Sequence, residues 1–113
     1  MHTIKEITSF EIPAGKDEEF LKGWNEIAEQ MRRAPGALSI HLHESLDPSA
    51  KFRFVAVTQW ESSLLYEATR DQATRAFEAL RRKMPFAAYP ALYRLVVASA
   101  ATPPPLAAFP VVG

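Results

Sequence analysis

Cysteine is absent from this sequence of 113 residues. Disulfide bridges, thiolate nucleophiles and cysteine-ligated zinc or iron–sulfur sites are therefore excluded, which is typical of a protein from a reducing compartment. Net charge is also absent, because thirteen basic residues balance thirteen acidic ones. Without a positive field to gather polyanions, neither nucleic acid nor an anionic membrane surface is expected as a partner.

Long apolar runs are missing too. No stretch approaches the ~18 residues that a membrane-spanning helix needs, and residues 1–6 lack the basic-then-apolar order of a signal peptide. We therefore expect a cytoplasmic protein. Hydrophobic residues make up 48% and charged residues 23%, a balance that is typical of a folded globular chain. At this length the chain can bury one core, which predicts one domain.

The spacing of apolar residues predicts six elements in the order βαββαβ. Apolar residues alternate in the strands and recur every three or four positions in the helices. The predicted elements are a strand over 4–12, a helix over 17–33, strands over 37–44 and 52–60, a helical region over 62–84 and a last strand over 91–98. The helical region is compatible with one helix or with two pieces that break near Arg70.

This order is the split βαβ pattern of ferredoxin-like α+β domains, in which a four-stranded antiparallel sheet carries helices on one face only. The other face needs a cover, and no further helix is predicted to supply it. A second copy of the sheet is the natural partner, so we expect a homodimer that closes into an α+β barrel. The domain is predicted over residues 1–99, and the proline-rich residues 100–113 are predicted to be a tail.

Four segments carry a resemblance to a known family, and they lie at 31–36, 42–47, 54–62 and 89–93. Together they resemble the antibiotic biosynthesis monooxygenase family, over about residues 4–98. The resemblance implies the dimeric barrel and a pocket between the helices and the sheet of each subunit. It also implies kinship with haem-degrading monooxygenases and with enzymes that oxidise anthrone intermediates of aromatic polyketides without metal or flavin.

The resemblance also assigns roles to single residues. Trp60 matches a tryptophan at the end of the third strand, and Tyr66 matches a tyrosine of the polyketide-oxidising members. Ala56 stands where those members usually carry an asparagine that polarises the substrate oxygen. Haem-degrading members ligate iron through a histidine on the second helical region, whereas residues 62–88 contain no histidine. Haem is therefore disfavoured, and no cofactor is expected.

His41 and His43 are the candidates for acid–base chemistry, because imidazole titrates near neutral pH. Two positions apart on a predicted strand, they share one face. No third histidine or matching pair of carboxylates completes a ligand set with them, so a metal is not expected. The alternative for both histidines is that they are ordinary polar residues which face solvent or the dimer interface.

The predicted catalytic residues are therefore His41, His43, Trp60 and Tyr66. The predicted walls of the substrate pocket are large apolar side chains from both helices and from the strands, namely Trp24, Met31, Phe54, Phe77 and Tyr93. Core packing is the alternative for Trp24, Met31 and Tyr93, as it is for Trp60 and Tyr66.

Together with these residues, the resemblance implies a cofactor-independent monooxygenase that acts on a hydrophobic aromatic or polyketide-type substrate of secondary metabolism. Such a reaction needs a base, a hydrogen-bond donor for the developing oxyanion and a dry pocket. Two alternatives stay open. One is a cyclase or isomerase that acts on a similar substrate without oxygen, and the other is a dimer that binds a small ligand without catalysis.

Overall fold

The computed structural model describes residues 3–102. Its elements are β1 (Ile4–Glu11), α1 (Asp17–Met31), β2 (Ala37–Glu44), β3 (Phe54–Trp60), α2 (Ser63–Lys83) and β4 (Ala87–Tyr93). The strands form one antiparallel sheet in the order β2-β3-β1-β4, and both helices pack on the same face of it. The predicted ferredoxin-like α+β fold is confirmed.

The central strand β3 shows how the sheet separates its two faces. Phe54, Ala56, Thr58 and Trp60 are buried under the helices, whereas the residues between them are only partly buried. Alternation along a strand sends successive side chains to opposite faces, so the sheet has one core face and one face without helices. We call the second one the helix-free face; its side chains come from the odd-numbered residues of β1, β3 and β4 and from Ser39, His41 and His43 of β2.

Helix α1 covers the core face with a stripe of large side chains. Phe20, Trp24, Ile27 and Met31 recur at helical spacing, and all four are buried. The rings of Phe20 and Phe54 stack with their centroids 5.3 Å apart. This aromatic layer fixes α1 over the β3 side of the sheet.

Helix α2 runs without interruption from Ser63 to Lys83, so the predicted region is one helix with no break near Arg70. Ser62 caps its start, and the Ser62 hydroxyl oxygen accepts a hydrogen bond of 3.3 Å from the backbone N–H of Leu65. Three basic residues close its last turn, where they complement the helix dipole.

Gly36 links α1 to β2 in a conformation that suits glycine, with φ at +87°. A Cβ built there would lie 2.6 Å from the Cβ of Leu65, whereas a Cβ at Gly15, with φ at +78°, would meet nothing within 4 Å. We expect Gly36→Ala to lower the free energy of unfolding by roughly 2–5 kcal/mol, since backbone strain adds to overpacking. Gly15→Ala is the matched control, because it carries the strain alone. Equal losses in urea denaturation of the two variants would contradict the contact with Leu65.

The last strand lies earlier in the chain than the sequence pattern predicted. The prediction placed it over residues 91–98, but β4 spans Ala87–Tyr93. In the antiparallel register Ala87 faces Glu11 and Tyr93 faces Lys5, so β1 has almost no length left to pair with residues after Tyr93. β4 is an edge strand, where Pro90 is tolerated because its missing N–H need not serve a second neighbour.

The segment after β4 is apolar and exposed. Leu95, Val96 and Val97 are 70%, 83% and 75% exposed. Residues 103–113 of the predicted proline-rich tail lie outside the described residues, and the domain boundary at residue 99 stays a prediction. Within residues 3–102, no helix combines the length and the apolar character that crossing a membrane requires.

Candidate active site

A cavity of about 280 Å³ lies between α2 and the core face of the sheet. Its lining comes from β1, β3, β4 and both helices and consists of Glu6, Thr8, Phe10, Met31, Trp60, Tyr66, Thr69, Arg70, Ala73, Thr74, Phe77, Glu78, Arg81, Ala88 and Pro90. Two larger clefts, of about 610 and 550 Å³, are lined only by exposed or partly buried side chains. An apolar cavity with a few convergent polar groups is the usual form of a small-molecule site.

The Glu6 carboxylate is the acidic group on the sheet side of this cavity. Glu6 lies on β1, next to Thr58 of β3, and its side chain reaches the Tyr66 side chain on the first turn of α2. The Tyr66 phenol donates a hydrogen bond to Oε2 of Glu6. This hydrogen bond joins the sheet to α2 across one end of the cavity.

Burial raises the pKa of both Glu6 and Tyr66. Desolvation raises the pKa of Glu6 above its ordinary value of 4.5, and the hydrogen bond from Tyr66 offsets part of that rise. Burial and the neighbouring carboxylate together raise the pKa of Tyr66, so its phenol stays protonated and stays a donor. A carboxylate with a raised pKa is a stronger base than an exposed one, which suits proton abstraction near neutral pH.

The Trp60 ring forms a wall beside this pair. Its centroid is 5.8 Å from that of Tyr66, and the two rings meet edge to face at 77°. The indole N–H donates a hydrogen bond of 3.0 Å to the Thr58 hydroxyl. Because that donor is already engaged, Trp60 can offer a substrate its aromatic surface but not its N–H.

Four of the residues predicted for the site line the cavity, namely Trp60, Tyr66, Met31 and Phe77. Trp24 and Phe54 do not. Trp24 packs in the core behind the lining, with its ring centroid 6.0 Å from those of Phe10 and Phe77. Phe54 lies still deeper, stacked on Phe20. Large aromatic residues on the core face were predicted as pocket wall, but these two fill the interior instead.

Tyr93 also lies away from the cavity. Because β4 begins at Ala87 rather than at residue 91, Ala88 and Pro90 face α2, and the odd-numbered Tyr93 points to the helix-free face. Its side chain is 52% exposed. The displaced strand thus explains why the predicted role of Tyr93 in the pocket does not fit the structure.

The two histidines lie on the opposite side of the sheet from the cavity. His41 pairs with Val57 and His43 with Val55, so both share the helix-free face. They are exposed, and their ring centroids are 6.3 Å apart. Neither histidine can reach a molecule in the cavity of its own subunit, because the sheet stands between them.

Glu6 is the site residue that the sequence reasoning missed. Ile4, Thr8, Phe10 and Ile12 share one face of the first strand, and strict alternation places Glu6 on that same face. The available signal was a carboxylate on the face of the strand that packs against the core. Ionisable side chains are rarely buried unless they are paired or functional.

Metal ligation has no evident place in the described part of the chain. Among residues 3–102, no three histidine, aspartate or glutamate side chains lie close enough together to hold a metal ion.

Comparison with known proteins identifies the family. The sequence model described as antibiotic biosynthesis monooxygenase matches residues 3–83, which is well over half of the 113 residues. The chain therefore belongs to the antibiotic biosynthesis monooxygenase family, as its resemblance predicted. No curated protein sequence matches the chain.

Solved structures show the same fold. A proposed monooxygenase from Shewanella loihica PV-4 is 27% identical, with a TM-score of 0.69, and the match covers 86% of this chain and 97% of that one. SnoaB, a cofactor-independent oxygenase from Streptomyces nogalater, is 17% identical, with a TM-score of 0.70 and coverage of 92% and 100%. A proposed antibiotic biosynthesis monooxygenase from Deinococcus radiodurans is also 17% identical, with a TM-score of 0.71 and coverage of 89% and 99%.

Proposed function

We propose that this protein is a cofactor-independent monooxygenase that oxidises an acidic CH₂ group of a hydrophobic, aromatic polyketide-type substrate in secondary metabolism. The observation that carries the proposal is the partly buried Glu6–Tyr66 pair in a cavity that also has an aromatic wall. Membership of the monooxygenase family supports the class of reaction. The fold shared with SnoaB, a cofactor-independent oxygenase, is consistent with it.

Glu6 starts the reaction as the base. Its carboxylate takes a proton from the CH₂ group, and the electron pair of the broken C–H bond is delocalised through the aromatic ring onto the ketone oxygen. Tyr66 keeps its proton and holds the carboxylate in place through its hydrogen bond to Oε2. Partial burial reduces the hydration of the carboxylate, which strengthens it as a base.

Oxygen then reacts with the carbanion and supplies the oxidising power. One electron passes from the carbanion to O₂, and the resulting radical and superoxide combine into a peroxide on the same carbon. Loss of water from the protonated peroxide leaves a second ketone. The sum is R₂CH₂ + O₂ → R₂C=O + H₂O, so neither a reductant nor a bound cofactor is needed to balance the reaction.

The role of base goes to Glu6 in this proposal, rather than to His41 or His43. Both histidines lie on the helix-free face, on the far side of the sheet from the cavity. Glu6 borders the cavity, and its raised pKa favours proton uptake. Trp60 orients the substrate by stacking, since its N–H is bonded to Thr58.

Removal of the proton does not itself require oxygen, so the same base also suits a cyclase or an isomerase. Turnover of anthrone in an oxygen electrode separates the three functions. We expect oxygen uptake that matches the consumption of anthrone one to one, with anthraquinone as product. Conversion under nitrogen at the same rate would favour a cyclase or isomerase, and binding without conversion would favour a ligand-binding protein.

We further propose that the protein is a homodimer that covers the helix-free face with a second copy. Ile7, Val55, Val57 and Ala91 form an apolar centre on that face, and no helix of the described chain covers it. The apolar segment of Leu95, Val96 and Val97 continues from the adjacent edge strand and is exposed in the single chain. A contiguous apolar surface that no helix covers favours association with another protein surface.

A further inference from the structure

Thr8 places a buried hydroxyl group at the sheet side of the cavity. Thr8 is 9% exposed and lines the cavity, and it lies two positions after Glu6 on the same face of β1. The Thr8 hydroxyl has no hydrogen-bond partner among residues 3–102, and no fully enclosed polar side-chain atom of those residues lacks a partner. The hydroxyl therefore keeps accessible surface, and Thr8 is one of the residues that line the cavity.

The neighbours of Thr8 leave room for a ligand above it. Thr8 faces Ala56 on β3 and Pro90 on β4 in the sheet register. Neither side chain can form a hydrogen bond, and both are small. A molecule in the cavity can therefore reach the hydroxyl, and no side chain on an adjacent strand competes for it.

We propose that Thr8 donates the hydrogen bond that holds the substrate oxygen on which negative charge collects when Glu6 removes the proton. This inference rests on the proposed function and names the group that stabilises its anionic intermediate. When the C–H bond breaks, its electron pair shifts through the ring, and the ketone becomes an enolate oxygen. A donor already aimed at that oxygen lowers the barrier, because it need not reorganise during the reaction.

The spacing of Glu6 and Thr8 suits a substrate of one particular shape. Alternate residues of a strand lie about 7 Å apart on one face, which leaves room for a single six-membered ring between base and donor. In an aromatic ketone of the anthrone type, the acidic carbon and the ketone oxygen sit on opposite sides of one ring. We infer that the substrate carries its ketone or phenol oxygen across one ring from the carbon that loses the proton.

The bound form of 2-naphthol tests this inference without any oxygenation. Its neutral and anionic forms differ in absorbance, so a pH titration of the complex gives the pKa of the bound phenol. We expect Thr8→Val to raise that pKa by about one to two units, which is what loss of a hydrogen bond to a charged oxygen produces. Thr8→Ser keeps a hydroxyl and is expected to restore the wild-type value.

Thr69→Val is the matched control. Thr69 also lines the cavity, but its hydroxyl donates to the backbone oxygen of Leu65 at 3.4 Å, so the pKa of bound 2-naphthol should not move. An unchanged pKa in folded Thr8→Val, or no binding of 2-naphthol to the wild-type protein, would overturn the inference.

Turnover gives a second readout that separates this inference from the proposed function. We expect Thr8→Val to lower kcat for anthrone by a factor of roughly 10²–10³ with KM little changed, as for loss of one oxyanion donor. If the wild-type protein consumed no oxygen, the proposed function would fail. The shift in the pKa of bound 2-naphthol would still decide whether Thr8 is the donor.

Discussion

Replacement of Glu6 by glutamine is expected to lower kcat for anthrone by a factor of about 10²–10⁴, the usual contribution of a positioned base. Glutamine has nearly the same size, and its carbonyl oxygen can still accept the hydrogen bond from Tyr66, but it cannot take up a proton. Oxygen uptake at saturating anthrone measures the loss. KM should change little, because the side chain keeps its shape.

The histidine variants are the controls for this result. His41→Ala and His43→Ala change exposed residues on the helix-free face, so both should consume oxygen at close to the wild-type rate. A large loss in either of them, together with normal turnover by Glu6→Gln, would return the role of base to that histidine.

The pH dependence of kcat/KM provides an independent check on Glu6. The base works only when deprotonated, so the rate should fall as the pH drops through the raised pKa of Glu6, which lies above 4.5. The hydrogen bond from Tyr66 lowers that pKa, so Tyr66→Phe should move this limb of the profile to higher pH. A limb that stays in place in Tyr66→Phe would show that Glu6 does not control the profile.

Thermal stability distinguishes a variant that has lost only the catalytic base from one that no longer folds. Since burial raises the pKa of Glu6, the folded protein holds this proton more tightly than the unfolded chain does. The contribution of Glu6 to stability is therefore fully present below pH 4.5 and is lost as the pH rises through the raised pKa. At neutral pH, Glu6→Gln should melt at a temperature no lower than the wild-type protein.

The sequence alone was sufficient for most of the fold because most elements carry a local pattern. Phe20, Trp24, Ile27 and Met31 recur at helical spacing, and β3 alternates without exception. The last strand was misplaced because its limits depend on the length of β1 rather than on local preference. Residues 95–97 have strong strand propensity, yet they lie beyond the register that β1 offers to β4.

The site was harder to predict because it depends on which face of each strand meets the helices. Alternation showed that His41 and His43 share a face, and the apolar Ile40 and Leu42 between them mark the other face as the core side. Glu6 was overlooked because a charged residue is not expected on the face that Ile4 and Phe10 mark as the core side. Which aromatic residues form a wall and which fill the core, as with Phe77 and Phe54, depends on packing that spacing does not encode.

Replacement of Val57 by glutamate is expected to turn the proposed homodimer into monomers, weakening association by roughly a thousandfold, or about 4 kcal/mol. Val57 lies near the middle of the helix-free face, between Ile7 on β1 and His41 on β2. In a two-fold symmetric dimer each substitution occurs twice, so two carboxylates lose their hydration at the apolar centre of the interface. Analytical ultracentrifugation over a range of protein concentrations measures the change.

Gln72→Glu adds the same charge on an exposed position of α2 and should leave the dimer intact. A wild-type protein that sediments as a monomer, or a Val57→Glu variant that remains a dimer, would contradict the role of the helix-free face. Glu6, Thr8 and Tyr66 all come from one chain and meet on the opposite side of the sheet from Val57. A folded Val57→Glu monomer should therefore still bind 2-naphthol, since dimerisation covers the sheet without completing the cavity.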